Sequence, residues 1–250
     1  MKTTKNDSKQ KFLRSVIADL DAGVKHNKKS IEKVALSYGI TDKTEVKEFT
    51  ELAIVLKARS ITRSNDSIEE KYWRIVKLYE RQVTLSHRTS HSMLLQQYST
   101  PAPISFLAGI FVNADQNISV FEPSAGNGLL TIAADPSRVI VNEIDPLRRS
   151  NLSEQGYRKV LSQDATQPFK NFAKKFDAVI TNPPFGIHAE VKYETFGIRT
   201  LDHLMALRAL DTMKDNGKAA FIIGGHNRYD KKGRFQKGDW RFFFNYLYSR

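Results

Sequence analysis

An apolar run that is cut off by two prolines is the feature that most constrains the fold of this chain. Residues Phe176–Thr181 read Phe-Asp-Ala-Val-Ile-Thr, which is typical of a buried parallel strand. Pro183 and Pro184 cannot donate to a strand ladder, and Pro183 also favours extended geometry at Asn182. The chain must therefore leave the sheet directly after Asn182, at the carboxyl end of a strand, where open α/β sheets bind ligands.

The turn Asn182-Pro183-Pro184-Phe185 presents groups that suit a flat ligand with an amino group. The Asn182 side-chain oxygen and the Pro183 carbonyl can accept two hydrogen bonds from one amino group, and the Phe185 ring can stack on a base. Asn and Pro are also ordinary turn residues, so these four residues alone fit a strand-ending turn equally well. The residues upstream have to decide between the two interpretations.

The composition of the 250 residues excludes several kinds of site and several classes of protein. The chain contains no cysteine, which excludes disulfides, thiolate metal sites and a cysteine nucleophile. Its six histidines are scattered without ligand spacing, so we predict no metal. Residues 1–5 have no apolar core behind them, and no apolar run approaches the length of a membrane span. We therefore expect no signal peptide, no membrane partner and a cytoplasmic protein.

The charge of the chain is unevenly distributed. The net charge is +12, and the excess lies in residues 1–90 and 226–250, whereas residues 91–225 hold as many acidic as basic side chains. Basic flanks suit a polyanion, most simply nucleic acid. A solvated lysine-rich surface is the alternative interpretation.

Helical periodicity runs through the first part of the chain, and we predict a helical extension over residues 1–95, followed by a second domain over residues 96–250. The helices are expected from Lys9 to about His26, from a cap at Ser30 to Tyr38 with Gly39 as the stop, from Thr41 onward, and after a capping box formed by Ser67 and Glu70. The second and third helices are compatible with a helix-turn-helix reader, but a packing bundle is the preferred interpretation.

Strands alternate with helices after residue 96. Thr100 as N-cap and Pro101 at the first helical position predict a helix to about residue 112. The following elements are expected in order: a strand over 118–121, a helix from Leu129, a strand over 138–144, a helix over 146–155, strands over 159–162 and 176–181, a helix over 202–214 and a strand over 218–223. This alternation predicts an α/β fold with a doubly wound, mostly parallel sheet.

The expected strand ends carry residues that suit a nucleoside. Gly126 and Gly128 lie in the loop after the first strand and let the backbone approach a ligand closely. Glu143, followed by Ile144, ends the second strand, where a carboxylate is the expected partner of two ribose hydroxyls. Asp164 follows the third strand and can accept from an exocyclic amine. Capping or surface charge would explain either acid alone, but both at successive strand ends favour a site.

Four blocks of the chain, taken in order, resemble the motifs of S-adenosylmethionine-dependent amino-methyltransferases, most closely those of the DNA adenine-N6 enzymes. The blocks are Gln96-Gln97-Tyr98-Ser99-Thr100-Pro101, residues 121–128, the acids Glu143 and Asp164, and residues 182–185. The likeness covers about residues 96–225. The whole chain is more weakly similar to methyltransferase modules in large proteins of phages and mobile elements.

This resemblance implies a class I methyltransferase-like fold, S-adenosylmethionine as the cofactor and nucleic acid, most simply DNA, as the partner. The implied cofactor-binding residues are Tyr98, Thr100, Glu122, Pro123, Gly126, Gly128, Glu143, Ile144, Asp164 and Asn182. The implied catalytic residues are Asn182, Pro183, Pro184 and Phe185. They would hold a flipped adenine for direct methyl transfer without a covalent intermediate. The absence of cysteine argues against cytosine-C5 methylation.

The chain departs from the family after the fifth strand, where the family's sheet continues with two more strands. Here a basic loop over residues 228–238 and an aromatic helix over residues 240–248 follow instead. We expect either a fragment or a partner chain that completes the sheet. The open edge of the fifth strand should be covered by the terminal helix or by another chain.

Other functions share parts of this pattern. RNA methylation at adenine N6 or guanine N2 is the first alternative, because Phe185 in place of tyrosine is compatible with those enzymes too. The missing end of the sheet motivates a second alternative, a non-catalytic nucleic-acid-binding scaffold. A glutamine-amide methyltransferase also uses this turn, but the basic flanks disfavour it.

Overall fold

The computed structural model describes residues 5–83, 99–224, 231–233 and 239–249. The helices are α1 (Lys5–Asp21), α2 (Lys28–Ser37), α3 (Lys43–Thr62), α4 (Ile68–Arg81), α5 (Ala102–Phe111), α6 (Pro146–Ser153), α7 (Leu201–Leu210) and α8 (Asp239–Tyr248). The strands are β1 (Val120–Glu122), β2 (Val139–Asn142), β3 (Lys159–Leu161), β4 (Phe176–Thr181), β5 (Ile187–Tyr193), β6 (Phe196–Thr200) and β7 (Met213–Phe221). Short 3-10 turns occur at Leu129–Thr131, Pro136–Arg138 and Lys170–Phe172.

Five strands form one parallel sheet in the order β3-β2-β1-β4-β7. Phe121 of β1 is in register with Ile140 of β2 and Val179 of β4. The strands β1 and β2 are buried along their whole length, as expected for parallel strands that are covered on both faces. The predicted doubly wound, mostly parallel sheet is confirmed, and it brings the carboxyl ends of its strands to one edge.

The helix boundaries in the N-terminal segment differ from the predicted ones by a few residues. Asn27, not Ser30, is the N-cap of α2, and the Ser30 side chain completes the capping box as its third residue. Asp42, not Thr41, caps α3 through the backbone amide of Glu45. Local capping chemistry decides these ends, because the Asn27 and Asp42 side-chain oxygens accept from free amides of the first turn.

Other helix ends follow from the same local rules. The helix α1 begins at Lys5, earlier than predicted, and ends at Asp21, because Gly23 takes a left-handed conformation with φ +73°. The predicted stop at Gly39 has φ +77°. The capping box of Ser67 and Glu70 is confirmed.

The helix α3 lies at the centre of the bundle. Leu52, Ala53 and Val55 are essentially inaccessible, and charged residues of the same helix are buried as well. The recognition helix of a helix-turn-helix reader needs an exposed face, so the packing-bundle interpretation fits α3 and the reader does not. The apolar core of the bundle continues into Phe106 of α5 and Ile132, so the helices pack directly against the α/β part.

Two predicted elements of the α/β part are shorter than expected. Leu129 starts only the 3-10 turn Leu129–Thr131, because the Pro at position 136 restrains the residue before it and stops a longer helix. The strand β2 ends at Asn142, so Glu143 and Ile144 follow the strand instead of belonging to it.

An antiparallel hairpin of β5 and β6, which the sequence analysis did not predict, lies between the proline turn and α7. Tyr193 and Ile198 of the hairpin are buried in one apolar cluster with Phe243 of α8. The strand β7 begins at Met213 and not at residue 218, and α7 accordingly ends at Leu210. A register irregularity between positions 176 and 178 accommodates the longer pairing.

Within the described parts of the chain, β7 pairs only with β4 and forms the outer strand of the sheet. Phe221 of β7 packs against the same apolar cluster that holds Phe243, so the terminal helix lies close to this end of the sheet. A partner chain that completes the sheet stays a prediction.

Candidate functional site

A cavity of about 310 Å³ opens at the carboxyl ends of β1 to β4. It joins the loop after β1 to the proline turn after β4, which is the connection that a cofactor site beside that turn requires. Most of the site residues predicted from the sequence line it: Thr100, Glu122, Pro123, Gly126, Glu143, Ile144, Asp164, Asn182, Pro183, Pro184 and Phe185. The structure therefore brings together four strand ends that are far apart in the sequence.

One predicted residue within the described ranges, Gly128, is not part of this lining. Gly128 has φ +93°, and a side-chain carbon there would collide with the Tyr157 hydroxyl, so this glycine permits a tight turn and close packing. Tyr98 lies outside the described residues.

Asn142, which the sequence analysis did not single out, fixes the loops on both sides of β2. Its side-chain nitrogen donates to the carbonyl oxygens of Pro123 and Gln163, each at 2.9 Å, and its oxygen accepts from the Gln163 amide at 2.8 Å. A polar residue that ends the apolar run Val139–Asn142 was the available signal. The strand-end loops of β1 and β3 are thus held at a defined distance from β2.

Glu143 connects the loop after β2 to the glycine of the β1 loop. Its carboxylate accepts from the amides of Gly126 at 2.7 Å and Asp145 at 2.8 Å. Burial raises the pKa of Glu143, although these amides and the Arg148 guanidinium oppose the shift. A carboxylate has about four acceptor positions, so Glu143 can still accept from hydroxyl groups in the cavity.

Glu122 is a buried acid on the same wall. Its side chain is 1% exposed, and one carboxyl oxygen has no hydrogen-bond partner among the described residues. Burial, and then the neighbouring Glu143, raise the pKa of Glu122 well above its usual value. A buried acceptor without a partner is costly unless a ligand satisfies it, so this oxygen is a candidate contact for a ligand.

Asp164 and Ile144 form the outer wall on the side of β3 and β2. Asp164 is exposed, and its carboxylate accepts from the backbone amide and the hydroxyl of Thr166, both at 2.9 Å. The Ile144 side chain is 56% exposed although it is apolar. An acceptor beside an exposed aliphatic surface suits a flat ring that carries an amino group.

Asn182 is held by Thr100, another residue that lines the cavity. Its side-chain nitrogen donates to the Thr100 hydroxyl at 2.8 Å, and its side-chain oxygen is buried and has no partner within the described ranges. The predicted N-cap role of Thr100 is wrong, because Pro101 occupies the cap position of α5 and makes no side-chain bond. Pro183 is buried and Phe185 half-buried. Asn182, Pro183 and Phe185 of the turn all line the cavity.

The helix α3 supplies two buried acids that the sequence analysis missed. The Asn127 amide donates to Glu48 at 2.7 Å and to Glu51 at 3.0 Å, and the Arg148 guanidinium donates to Glu48 at 2.8 Å. Burial lowers the pKa of Arg148, but the carboxylates of Glu51 and Glu48 outweigh it and raise the net value. The sequence signal for this contact was the pair Glu48 and Glu51, three positions apart among apolar residues of one helix.

The same helix also binds the far side of the β1 loop. Arg59 donates to Gln155 at 2.8 Å and to the Tyr157 hydroxyl at 2.6 Å. The Gln155 side chain donates to the Asn127 carbonyl at 3.0 Å. The loop is thus fixed from α3, β2 and the segment after α6.

Within the described ranges, no helix combines the length and the apolar composition needed to cross a lipid bilayer. The described residues also hold no group of three or more His, Asp or Glu side chains placed to bind a metal ion.

No family model and no curated protein matches the chain. Among solved structures, it is similar to a candidate RNA methyltransferase from Pyrococcus horikoshii, with 19% identity, a TM-score of 0.44, and coverage of 71% of this chain and 79% of the other. TrmN from Thermus thermophilus has 19% identity, a TM-score of 0.40, and coverage of 56% and 42%. The type IIG restriction endonuclease BpuSI has 12% identity, a TM-score of 0.42, and coverage of 82% and 34%. The chain thus spans less than half the length of the last two proteins, and likeness at this level concerns the fold alone.

Proposed function

We propose that this chain binds S-adenosylmethionine and transfers its methyl group directly to an exocyclic amino group of a nucleic-acid base, most simply N6 of a flipped adenine in DNA. The observation that carries the proposal is the buried, unpartnered Asn182 oxygen in the cavity that also contains Glu143 and Gly126. The cavity combines a hydrogen-bond acceptor for an amino group with residues that suit a nucleoside. This combination fits a reaction between two bound substrates.

The residues of the cavity fit the cofactor. Glu143 would accept from the ribose hydroxyls, and Asp164 from the adenine amino group, with Ile144 against the ring. Gly126, at φ +56°, places its backbone at the cavity wall without a side chain. When bound, S-adenosylmethionine supplies a methyl group that its sulfonium centre activates.

Asn182 positions the base nitrogen that receives the methyl group. The amide nitrogen of Asn182 donates to Thr100, which leaves its side-chain oxygen to accept from the amino group of the base. The Pro183 carbonyl is the second acceptor. Together they orient the nitrogen and stabilise the positive charge that grows on it during transfer.

Phe185 supplies a stacking surface for the extruded base. Flipping costs a few kcal/mol, and one aromatic stack returns about 1–3 kcal/mol. The half-buried ring lines the cavity beside Asn182, so stacking and amino-group binding act on the same base. The basic flanks of the chain, with a net charge of +12 overall, favour a polyanionic substrate.

A methyl-transfer assay with radiolabelled cofactor tests this function on duplex DNA, single-stranded DNA and RNA. We expect transfer to DNA, and we expect Asn182→Ala to reduce the rate by about 100-fold or more. Asn245→Ala, at an exposed position of α8, is the matched control. Equal rates for wild type and Asn182→Ala would refute the role of Asn182.

The same assay distinguishes the alternatives. Transfer to RNA alone would replace DNA as the substrate and keep the site. Cofactor binding without transfer to any substrate would refute the proposed transfer. Absence of cofactor binding would favour the non-catalytic scaffold.

A further inference from the structure

The order of the strands defines where each end of a bound cofactor lies, if the proposed function is correct. Asp164 follows β3 and Glu143 follows β2, so the adenine and ribose occupy that side of the sheet edge. Asn182 follows β4, and the methyl group must lie close to it. The amino-acid end of the cofactor therefore lies over the loop after β1, on the side of Thr100 and α3.

Glu51 of α3 reaches this end of the cavity. Its side chain is 5% exposed and forms part of the cavity wall, although it comes from the helical bundle. The Ser99 hydroxyl donates to one of its oxygens, and the Asn127 amide donates to the other at 3.0 Å. These two bonds leave acceptor positions on the carboxylate.

Glu51 has one cation within 4 Å in the described part of the chain, whereas its neighbour Glu48 has two. Glu48 lies 2.8 Å from Arg148 and 3.5 Å from Lys47, and it does not line the cavity. The nearest cation to Glu51 in the described part of the chain is Arg148, at 3.9 Å. A buried carboxylate with a single ion-pair contact of this length has room for a cationic ligand beside it.

Glu122 provides an independent sign of a ligand at the same place. It is 1% exposed, lines the cavity at the end of β1, and keeps one oxygen without a partner among the described residues. Glu51 and Glu122 both line this cavity, and a carboxyl oxygen of either can accept from an ammonium group.

We propose that Glu51 binds the α-ammonium group of the cofactor's amino-acid end, with Glu122 as a second acceptor. The helical bundle then contributes a ligand-binding residue and is more than a support for the sheet. A charge-assisted hydrogen bond in a buried setting gives this contact its strength.

Calorimetric titration with two ligands tests the contact separately from the proposed function. S-adenosylhomocysteine carries the amino-acid end, and 5′-methylthioadenosine lacks it. We expect Glu51→Gln to weaken binding of S-adenosylhomocysteine by about ten-fold or more and to change binding of 5′-methylthioadenosine by less than about two-fold. An equal change for both ligands, or no change for either, would overturn the inference and leave the proposed function standing.

Two controls separate this contact from general damage to the site. Glu48→Gln removes the adjacent buried acid that does not line the cavity, and we expect it to leave the ratio of the two affinities unchanged. If Glu48→Gln shifts the ratio as much as Glu51→Gln does, the assignment to Glu51 is wrong. Wild type that binds neither ligand would overturn both this inference and the proposed function.

A measurement on the wild-type chain covers the case in which Glu51→Gln does not fold. The probe is the deamino analogue of S-adenosylhomocysteine, in which a hydrogen replaces the amino group. We expect it to bind about ten-fold or more weakly than S-adenosylhomocysteine. Equal affinities would show that the ammonium group has no acceptor in the site.

Discussion

The side-chain nitrogen of Asn182 donates to the Thr100 hydroxyl at 2.8 Å, although 82 positions separate the two residues in the sequence. In this arrangement the amide nitrogen lies against Thr100, and the side-chain oxygen on the other side of the amide has no partner among the described residues. Thr100 is buried just before α5, so the orientation of Asn182 depends on the packing of that helix start.

Thr100→Val should therefore lower the rate of methyl transfer without removing the catalytic amide. Valine fills the same volume but cannot accept from Asn182, so the amide loses its fixed orientation. We expect a loss of about ten-fold in kcat, which corresponds to the net free energy of one ordinary hydrogen bond. Thr100→Ser keeps the hydroxyl and should restore most of the rate. A Thr100→Val rate equal to that of wild type would show that another group orients the amide.

Gly128→Ala should destabilise the fold much more than Gly39→Ala. Both glycines have positive φ, at +93° and +77°, so both variants carry left-handed strain of about 1–2 kcal/mol. At Gly128 the new carbon also meets the Tyr157 hydroxyl, which Arg59 holds in place. The same carbon at Gly39 would have no atom of the described residues within 4 Å. We expect a total loss of roughly 3 kcal/mol for Gly128→Ala in urea unfolding. Equal losses would mean that Tyr157 moves aside freely.

Arg148→Met should be strongly destabilising because it leaves Glu48 and Glu51 buried without their guanidinium partner. Breaking a buried ion pair from one side costs about 3–5 kcal/mol. Arg199→Met removes an exposed partner of Glu190 and serves as the control, with an expected cost of at most about 1 kcal/mol. The unfolding free energies of the two variants and wild type provide the comparison. Similar costs would contradict the buried network.

Glu122→Gln should stabilise the chain increasingly as the pH rises. Burial and Glu143 raise the folded-state pKa of Glu122 above its ordinary value of 4.5. A raised folded-state pKa contributes stability that is fully present below the ordinary value and is lost as the pH rises through the folded-state value. Glutamine does not titrate, so the stability gained over wild type should be smallest below pH 4.5 and grow above it. A difference that is constant from pH 4 to pH 8 would contradict the raised pKa.

Local chemistry made several parts of the site predictable. Pro183 and Pro184 end β4 through their missing amides, and Gly126, Glu143 and Asp164 follow strands that an apolar pattern identifies. Each of these inferences needs only a few adjacent residues and the rule that parallel strands end at one edge. The fold class follows from the same alternation.

Contacts between distant positions were not predictable in this way. Glu48 meets Arg148 a hundred positions away, and no local pattern links them. The role of Thr100 was misassigned because a capping rule near Pro101 is local, while its actual partner is Asn182. The hairpin had a local signal in the alternation of Val191 with Tyr193 and of Phe196 with Ile198, but its strands are short and largely exposed.

The acids of α3 have a consequence for inheritance. Glu48 and Glu51 hold Asn127 and Arg148 across the boundary between bundle and sheet. A recombination event that joined this sheet to a foreign bundle would leave Arg148 buried without Glu48 and Glu51. The bundle and the sheet must therefore be inherited together, and descendants that lose the arginine should lose both glutamates with it.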